Sequence, residues 1–150
     1  MIVYRIAKRK KALDISGTGA AINPGRWNRQ GTPVLYTSES REMALLENIV
    51  NLPPMIAPQW DIMTLELPDG PLFELKVDEL PSNWYRFPAP TILSEIGQKW
   101  VDKGETLALR VPSSIIHTAN NILLNCEHVD YDQVKILDHR AFYFDSRLKK

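Results

Sequence analysis

This 150-residue chain has few of the features that mark an extracellular or membrane-embedded protein. Its one cysteine, Cys126, cannot form a disulfide within the chain, which is typical of proteins kept in a reducing compartment. No window approaches the roughly 20 apolar residues that a membrane-spanning helix needs. The first residues, MIVYRIAKRKK, place apolar residues before the charges, the reverse of a signal peptide. We therefore expect a cytoplasmic protein without a membrane segment.

The histidines and the charge balance argue against two further kinds of site. His117, His128 and His139 are 11 residues apart each time, with no helical i,i+4 pair, so the sequence predicts no metal site. Lysine plus arginine equals aspartate plus glutamate, at 18 each, so the formal net charge is zero. A neutral chain has no general electrostatic attraction for nucleic acid, and we expect no direct binding of nucleic acid.

Length and patterning predict a single α+β domain over residues 1–150. Apolar residues make up 44% and charged residues 24%, which is typical of a globular protein. Strand and helix patterns are mixed without regular βαβ alternation. Residues 11–16 are expected to hold a helical turn, residues 17–25 an irregular loop, residues 72–77 an extended piece, and residues 112–114 a strand break. Strands are predicted at residues 1–7, 33–36, 60–67 and 106–111 and within 135–145, and helices from Ser38 or Ser40 to about residue 51 and at residues 91–104.

The segment from Gly17 to Asn51 holds the residues best suited to chemistry. Its glycine-rich loop carries Arg26, Trp27 and Asn28 in a row. A guanidinium, an aromatic ring and an amide, on a backbone that permits close approach, form a suitable surface for an anion and a ring. The alternative is that Arg26 is a surface charge and that Trp27 is a core residue.

Glu47 lies on, or beside, a helix face that should be buried. Its neighbours on the helix surface include Met43 and Val50, and leucine and isoleucine fill most of the rest. Because burying an unpaired carboxylate is costly, we expect Glu47 to have a partner or to border a cavity. The alternatives are a position at the solvated edge of the helix or neutralisation by a structural arginine.

Two further stretches have both a structural and a functional interpretation. Arg5 is flanked by Tyr4 and Ile6 in the first strand, where it lies on an exposed face or in a binding site. Residues 81–90, PSNWYRFPAP, form either a packed surface loop or a contact surface for a partner.

Several stretches of the chain are similar to the RES domain family, and together they span nearly its whole length. The family takes its name from an arginine, a glutamate and a serine, which fall here on Arg26, Glu47 and Ser113. The G-R-W-N segment followed by G-T-P-V-L-Y-T-S is the most specific part. The similar stretches are YRIA (4–7), GTGA (17–20), PGRWNRQGTPVLYTSES (24–40), ALLE (44–47), LALRVPSSII (107–116), NILLN (121–125) with His128, and FYFDSRL (142–148).

This resemblance implies a fold and a function. The fold is that of the ADP-ribosyltransferases, a split and mostly antiparallel β-sheet flanked by helices around an NAD cleft. The family's proteins are toxins of bacterial type II toxin–antitoxin pairs that consume NAD as substrate, without a metal. ADP-ribose passes to water, to phosphate or to a protein. The implied partner is an antitoxin with an Xre-like helix-turn-helix domain, which blocks the active site.

The resemblance also implies site residues, with Arg26, Tyr36 and Glu47 as the catalytic set. Cleaving the nicotinamide–ribose bond builds oxocarbenium character on the ribose, and we assign the stabilising carboxylate to Glu47. We expect Tyr36 to stack on the cationic nicotinamide ring. Further substrate contacts are expected from Arg26 and Arg5 to the pyrophosphate, from Ser113 to the nicotinamide amide or a ribose hydroxyl, and from Trp27 as a wall of the cleft.

Two other classes of function remain open from the sequence. An RNA-cleaving toxin would gather basic and histidine residues in a cleft, and the neutral charge and scattered histidines disfavour it. A non-enzymatic interaction module would use the aromatic residues Trp84, Tyr85 and Phe87 as its contact surface. That interpretation leaves the position of Glu47 unexplained.

Overall fold

The computed structural model describes residues 1–53 and 57–149. Three α-helices and seven strands lie within these described residues. The helices are α1 (Thr18–Ile22), α2 (Arg41–Ile49) and α3 (Thr91–Lys103). The strands are β1 (Ile2–Lys8), β2 (Val34–Ser38), β3 (Trp60–Glu66), β4 (Leu72–Glu74), β5 (Ala108–Pro112), β6 (Asn120–Asn125) and β7 (Lys135–Phe142). Among the described residues, no helix is long and apolar enough to cross a membrane.

The seven strands form one sheet in the order β4-β5-β6-β2-β1-β3-β7. Every described neighbouring pair is antiparallel except β4 and β5, which run parallel. Helices lie against this sheet, with α2 in contact with both β1 and β2. The predicted α+β class, with a mostly antiparallel sheet flanked by helices, is confirmed.

The sheet is split between its two central strands. Strands β1 and β2 share a single residue pair, Tyr4 with Ser38. By contrast, β1 pairs with β3 along its whole length, and β2 pairs with β6 along its whole length. Beyond the one shared pair, the edges of β1 and β2 that face each other carry peptide groups without a ladder partner. The sheet therefore opens there, and this opening creates the cleft described below.

Local sequence explains where the two longer helices begin and end. Ser40 caps α2, because its hydroxyl oxygen accepts a hydrogen bond from the Met43 backbone N–H at 3.1 Å. The cap settles the choice between Ser38 and Ser40, and the helix ends at Ile49, near the predicted end. Helix α3 ends at Lys103, and the next residue, Gly104, has a φ of 61°, in the left-handed region that glycine adopts at low cost.

Buried side chains cover both faces of the sheet. One cluster contains Val3, Met63, Leu65, Ile122 and Leu124, and the other contains Trp27, Leu93, Trp100, Leu109 and Leu123. Consecutive residues of β6 alternate between the two clusters, as the two-residue period of a strand requires. The second cluster packs α3 against the sheet together with the loop that carries Arg26.

Three local expectations were wrong. The helical turn expected at residues 11–16 is a 3₁₀ turn at Arg9–Lys11. The loop at 17–25 contains the helix α1, whose Ala20 and Ala21 are good helix formers among the glycines. The extended piece ends at Glu74 rather than at residue 77. By contrast, the strand break predicted at residues 112–114 is confirmed, because β5 ends at Pro112, where a missing N–H disturbs the strand pairing little.

Candidate active site

The opening between β1 and β2 is a cleft of about 1110 Å³. This volume reaches the upper end of the roughly 300–1,000 Å³ that ligand pockets occupy. The residues that line the cleft come from both halves of the sheet, from α2 and from the loop at 81–90. They include Arg5, Arg26, Tyr36, Glu47, Asn121 and Phe87.

Glu47, on α2, has the partner that its position requires. Its Oε1 accepts one hydrogen bond from Ser113 Oγ at 2.8 Å and another from Asn121 Nδ2 at 2.7 Å. No lysine or arginine forms an ion pair with it in the part of the chain that the structure describes. Every buried polar side-chain atom there has a hydrogen-bond partner, so the unbonded Oε2 is not buried. Oε2 is therefore the carboxylate oxygen available to a bound molecule.

Ser113 does not take the place expected for it. Its side chain is fully buried, and its hydroxyl proton is committed to Glu47. The Ser113 oxygen also accepts hydrogen bonds from the backbone N–H groups of Ile115 at 3.0 Å and Ile116 at 3.3 Å. The expected hydrogen bond to a nicotinamide amide or ribose hydroxyl therefore has no free donor. Ser113 acts on the site through Glu47.

Asn121, which the sequence analysis did not assign, belongs to the same group. It lies on β6 in register with Ser38 on β2, and its amide donates to Glu47. The available signal in the sequence was a pair of asparagines opening an otherwise apolar strand. That signal alone does not distinguish a side chain in a cleft from a solvated strand end.

Tyr36 extends from β2 beneath the glycine-rich loop. Its hydroxyl donates to Asn28 Oδ1 at 2.6 Å and accepts a hydrogen bond from the Trp27 backbone N–H at 3.1 Å. A Cβ on Gly25 would lie only 2.8 Å from Cζ and from the hydroxyl oxygen, so this glycine permits the close approach. Burial raises the pKa of Tyr36 well above its usual range, and the phenol stays neutral.

Asn28 shapes the loop instead of binding a ligand. Its side chain is buried, and its Oδ1 accepts from the backbone N–H of Gly25 at 2.9 Å as well as from Tyr36. Its Nδ2 donates to the carbonyls of Ala20 at 2.9 Å and Thr32 at 3.1 Å. The amide thus closes the loop on itself. Asn28 is therefore not part of the surface for an anion and a ring that the sequence analysis expected.

Arg26 is half-buried at the edge of the cleft. Its Nη1 donates to the carbonyls of Trp84 at 2.8 Å and Arg86 at 2.9 Å, both in the loop at 81–90. Burial lowers the pKa of its guanidinium, and the nearby negative charge of Glu47 opposes that shift. Because Arg26 and Glu47 both line the cleft, a cation and a carboxylate share it.

Trp27 packs chiefly as a core residue. It borders the cleft, but its side chain is only 3% exposed and lies among the apolar residues beneath α3. The core alternative therefore describes its indole better than a wall of the cleft does. Its backbone contributes to the site by donating to the Tyr36 hydroxyl.

Arg5 faces the cleft from β1. It is half-buried, and its Nη1 donates to the carbonyl of Ala12 at 2.7 Å. Burial lowers the pKa of the guanidinium, and no carboxylate forms an ion pair with it among the described residues. A cation that lines a cleft without a carboxylate partner is suited to binding an anion.

Among the described residues, none of the three histidines lines the cleft. His139 bonds Asp61 at 2.5 Å, and His117 packs against Trp84 with ring centroids 4.9 Å apart. Within residues 1–53 and 57–149, no group of three or more His, Cys, Asp or Glu side chains is placed to hold a metal ion.

Comparison with known proteins gives this arrangement a family. The model of the RES domain matches residues 2–145. The chain belongs to the RES domain family. In this member of the family, Arg26 and Glu47 both line the cleft, and Ser113 is hydrogen-bonded to Glu47.

Relatives support the same assignment over nearly full lengths. Toxin Res of Yersinia enterocolitica is 33% identical over 152 residues, covering 99% of this chain and 100% of that protein. The Prs ADP-ribosylating toxin of Sphingobium sp. is 34% identical over 146 residues, covering 95% of this chain and 91% of that protein.

A solved structure shares the fold of this RES domain. It is the M. tuberculosis MbcT–MbcA toxin–antitoxin complex, with a TM-score of 0.76 and 14% identity. The similarity covers 95% of this chain and 84% of that one.

Proposed function

We propose that this chain is the toxin of a bacterial type II toxin–antitoxin pair and consumes NAD by cleaving the nicotinamide–ribose bond. The observation that carries the proposal is Glu47, which is held through Oε1 while Oε2 remains open in a cleft shared with Arg26. The names of the relatives, Toxin Res and Prs ADP-ribosylating toxin, support the same function.

In the proposed reaction, the bond between ribose C1′ and the nicotinamide nitrogen breaks. Its electron pair goes to the nitrogen, which neutralises the cationic ring, and the ribose acquires oxocarbenium character. The free oxygen of Glu47 stabilises this positive charge and accepts a hydrogen bond from a ribose hydroxyl. The oxygen of an acceptor then bonds to C1′, and the proton that this oxygen carried passes to the solvent.

The remaining cleft residues bind and orient the dinucleotide in this proposal. The neutral ring of Tyr36 stacks on the nicotinamide ring, whose positive charge favours an aromatic face. Arg26 and Arg5 bind the two phosphates of the pyrophosphate with donors that their backbone partners leave free.

The acceptor is water, phosphate or a protein side chain, and product analysis distinguishes them. Water gives ADP-ribose and phosphate gives ADP-ribose 1-phosphate, whereas a protein acceptor gains the mass of ADP-ribose. We further propose that the reaction takes place in the cytoplasm, where NAD is available.

We propose an antitoxin with an Xre-like helix-turn-helix domain as the partner that blocks the cleft. Phe87 is 88% exposed and Tyr85 is 44% exposed, and both belong to the part of the loop at 81–90 that lines the cleft. Exposed aromatic residues beside a cleft are suited to a partner that covers it. The structural relative from M. tuberculosis is a toxin–antitoxin complex, which supports a partner of this class.

The experiment that tests the proposal measures nicotinamide release from NAD by the purified, antitoxin-free chain. We expect turnover in the wild type and a loss of roughly 100-fold or more in Glu47→Gln, with little change in melting temperature. Glu42→Gln is the matched control, because Glu42 lies exposed on the same helix.

Wild-type turnover in a folded Glu47→Gln protein would remove Glu47 from the mechanism. A folded wild type that releases no nicotinamide, with or without phosphate and candidate protein acceptors, would overturn the proposed reaction. The non-enzymatic interaction module would then be the better account.

A further inference from the structure

We infer that Ser38 and Asn121 form a positioning pair that fixes the orientation of the Glu47 carboxylate. The inference rests on the proposed function, since it concerns the carboxylate that we place at the reacting ribose. Neither residue needs to touch NAD for this role. Their effect reaches the reaction through the oxygen that Glu47 presents to the cleft.

The hydrogen bonds between these residues can run in only one direction. The Glu47 carboxylate has no proton to donate, so it accepts from the amide Nδ2 of Asn121 at 2.7 Å. The Asn121 Oδ1 must then point the other way, where it accepts from Ser38 Oγ at 2.7 Å. The acceptor-only carboxylate therefore sets which end of the amide meets Glu47, and the Ser38 hydroxyl holds the other end of that amide in place.

The backbone holds this pair at a rigid point of the sheet. Ser38 and Asn121 are directly opposite each other in the β2–β6 ladder. Ser38 is also the residue of β2 that pairs with β1, at the position where the sheet opens into the cleft. Its side chain is only 3% exposed, which restricts its rotation. Side chains on strands are held in more precise positions than side chains on loops.

The consequence of this arrangement is a carboxylate with two distinct oxygens. Oε1 is bonded from one side by Asn121 and from the other by Ser113, so rotation of the carboxylate is restricted. Oε2 is left to meet the charge that develops on the ribose. Because that charge is greatest in the transition state, a misoriented carboxylate lowers kcat more than it raises KM for NAD.

The test compares Ser38→Ala and Asn121→Ala with the wild type in nicotinamide release from NAD. We expect kcat to fall roughly 10- to 100-fold, as a small misplacement of a catalytic group does, while KM changes by less than about threefold. Ser38→Thr keeps the hydroxyl and is expected to retain most of the activity. Melting temperatures show whether each variant is folded.

Thr37→Val is the matched control for loss of a buried hydroxyl on the same strand. Thr37 donates to the carbonyl of Ile122 at 2.7 Å and makes no hydrogen bond to Glu47 or Asn121 in the part of the chain that the structure describes, so the kcat of Thr37→Val should equal that of the wild type. A kcat loss in Thr37→Val as large as in Ser38→Ala would assign the effect to the strand and overturn the positioning role.

A double-mutant comparison separates positioning from an independent contribution. If Ser38 acts through Glu47, adding Ser38→Ala to Glu47→Gln changes the residual kcat by less than about twofold. If the kcat losses of the two single variants multiply in the double variant, the inference is overturned. Full activity in Ser38→Ala and Asn121→Ala would also overturn it, and either result leaves the proposed function intact. A folded wild type without turnover would overturn both.

Discussion

Gly97 lies against the carbonyl oxygen of Trp27 so closely that a Cβ at position 97 would be 1.7 Å from it. Real Cβ atoms do not approach an oxygen to that distance, so only glycine fits. Helix α3 therefore accepts a glycine in its interior, at a cost of roughly 0.5–1 kcal/mol relative to alanine. Because position 97 has no side chain, the backbone of α3 packs directly against the loop that carries Arg26.

Gly97→Ala is expected to destabilise the protein by about 1–3 kcal/mol or more, since the Trp27 backbone must shift away from α3. The free energy of unfolding in urea is the measurement. Gly19→Ala is the control, because a Cβ on this helical glycine meets nothing within 4 Å. Alanine there should be neutral or slightly stabilising. Equal effects of the two substitutions would mean that α3 and the loop are not packed as described.

Among the residues of the candidate site, Glu47 is the one whose surroundings the sequence predicted best. A carboxylate on an apolar helix face must have a partner or border a cavity, and Glu47 has both. The identity of the partners was not predictable, because Ser113 and Asn121 reach Glu47 only through the pairing of distant strands. Periodicity within a segment does not report which strands become neighbours.

Residue type alone also gave a wrong prediction at two positions, Trp27 and Asn28. A tryptophan and an asparagine beside an arginine in a glycine-rich loop are suited to ligand binding. Here Trp27 and Asn28 are 3% and 2% exposed and hold the loop in place. The distinction depends on backbone direction, which buries these two side chains in the packed interior while Arg26 stays at the edge of the cleft.

Substitutions of Tyr36 should separate the contribution of its ring to turnover from the contribution of its hydroxyl to stability. Tyr36→Phe removes the donor to Asn28 and the acceptor for the Trp27 N–H, so we expect a stability loss of about 1–3 kcal/mol. The ring remains, and nicotinamide release should fall less than in Tyr36→Ala. Thermal melts and steady-state kinetics on both variants make the comparison. Equal turnover in the two variants would argue against stacking.

Arg26→Lys tests whether the guanidinium fork is needed in addition to the charge. A lysine cannot bridge the carbonyls of Trp84 and Arg86 and also bind an anion with paired donors. Losing a charge-assisted hydrogen bond of about 1.5–3 kcal/mol should raise KM for NAD roughly 10-fold or more. Arg29→Lys, an exposed position in the same loop, is the control and should leave KM unchanged. A wild-type KM in Arg26→Lys would exclude a bidentate contact.

Acid stability is expected to depend on Asp61, which lies on β3 away from the cleft. A hydrogen bond from Arg9 at 2.7 Å, assisted by His139, holds the pKa of Asp61 below its usual range. Since the folded pKa is lower than the unfolded value of about 3.9, the stabilisation is present above that pH. It is lost as the pH falls through the folded pKa.

Melting temperatures of the wild type and Asp61→Asn between pH 7 and pH 2.5 check this dependence. The wild type should melt higher at neutral pH, and the gap should close below about pH 3.9. Asp69→Asn, in the exposed turn between β3 and β4, should show no comparable gap. If the difference in melting temperature between the wild type and Asp61→Asn stays constant down to the lowest pH, the charge of Asp61 does not cause that difference.

Ser113→Ala distinguishes a serine that orients Glu47 from one that contacts NAD. Removing the hydroxyl takes one of two donors from the carboxylate and leaves the N–H groups of Ile115 and Ile116 without their acceptor. We expect kcat to fall roughly 10-fold, KM for NAD to change little, and stability to drop by about 1–3 kcal/mol. Ser94→Ala removes a hydroxyl that bonds only the Thr91 carbonyl on α3, and should change neither kinetic constant. A large rise in KM with kcat preserved would instead place the Ser113 hydroxyl on the substrate, against the hydrogen bond to Glu47 described above.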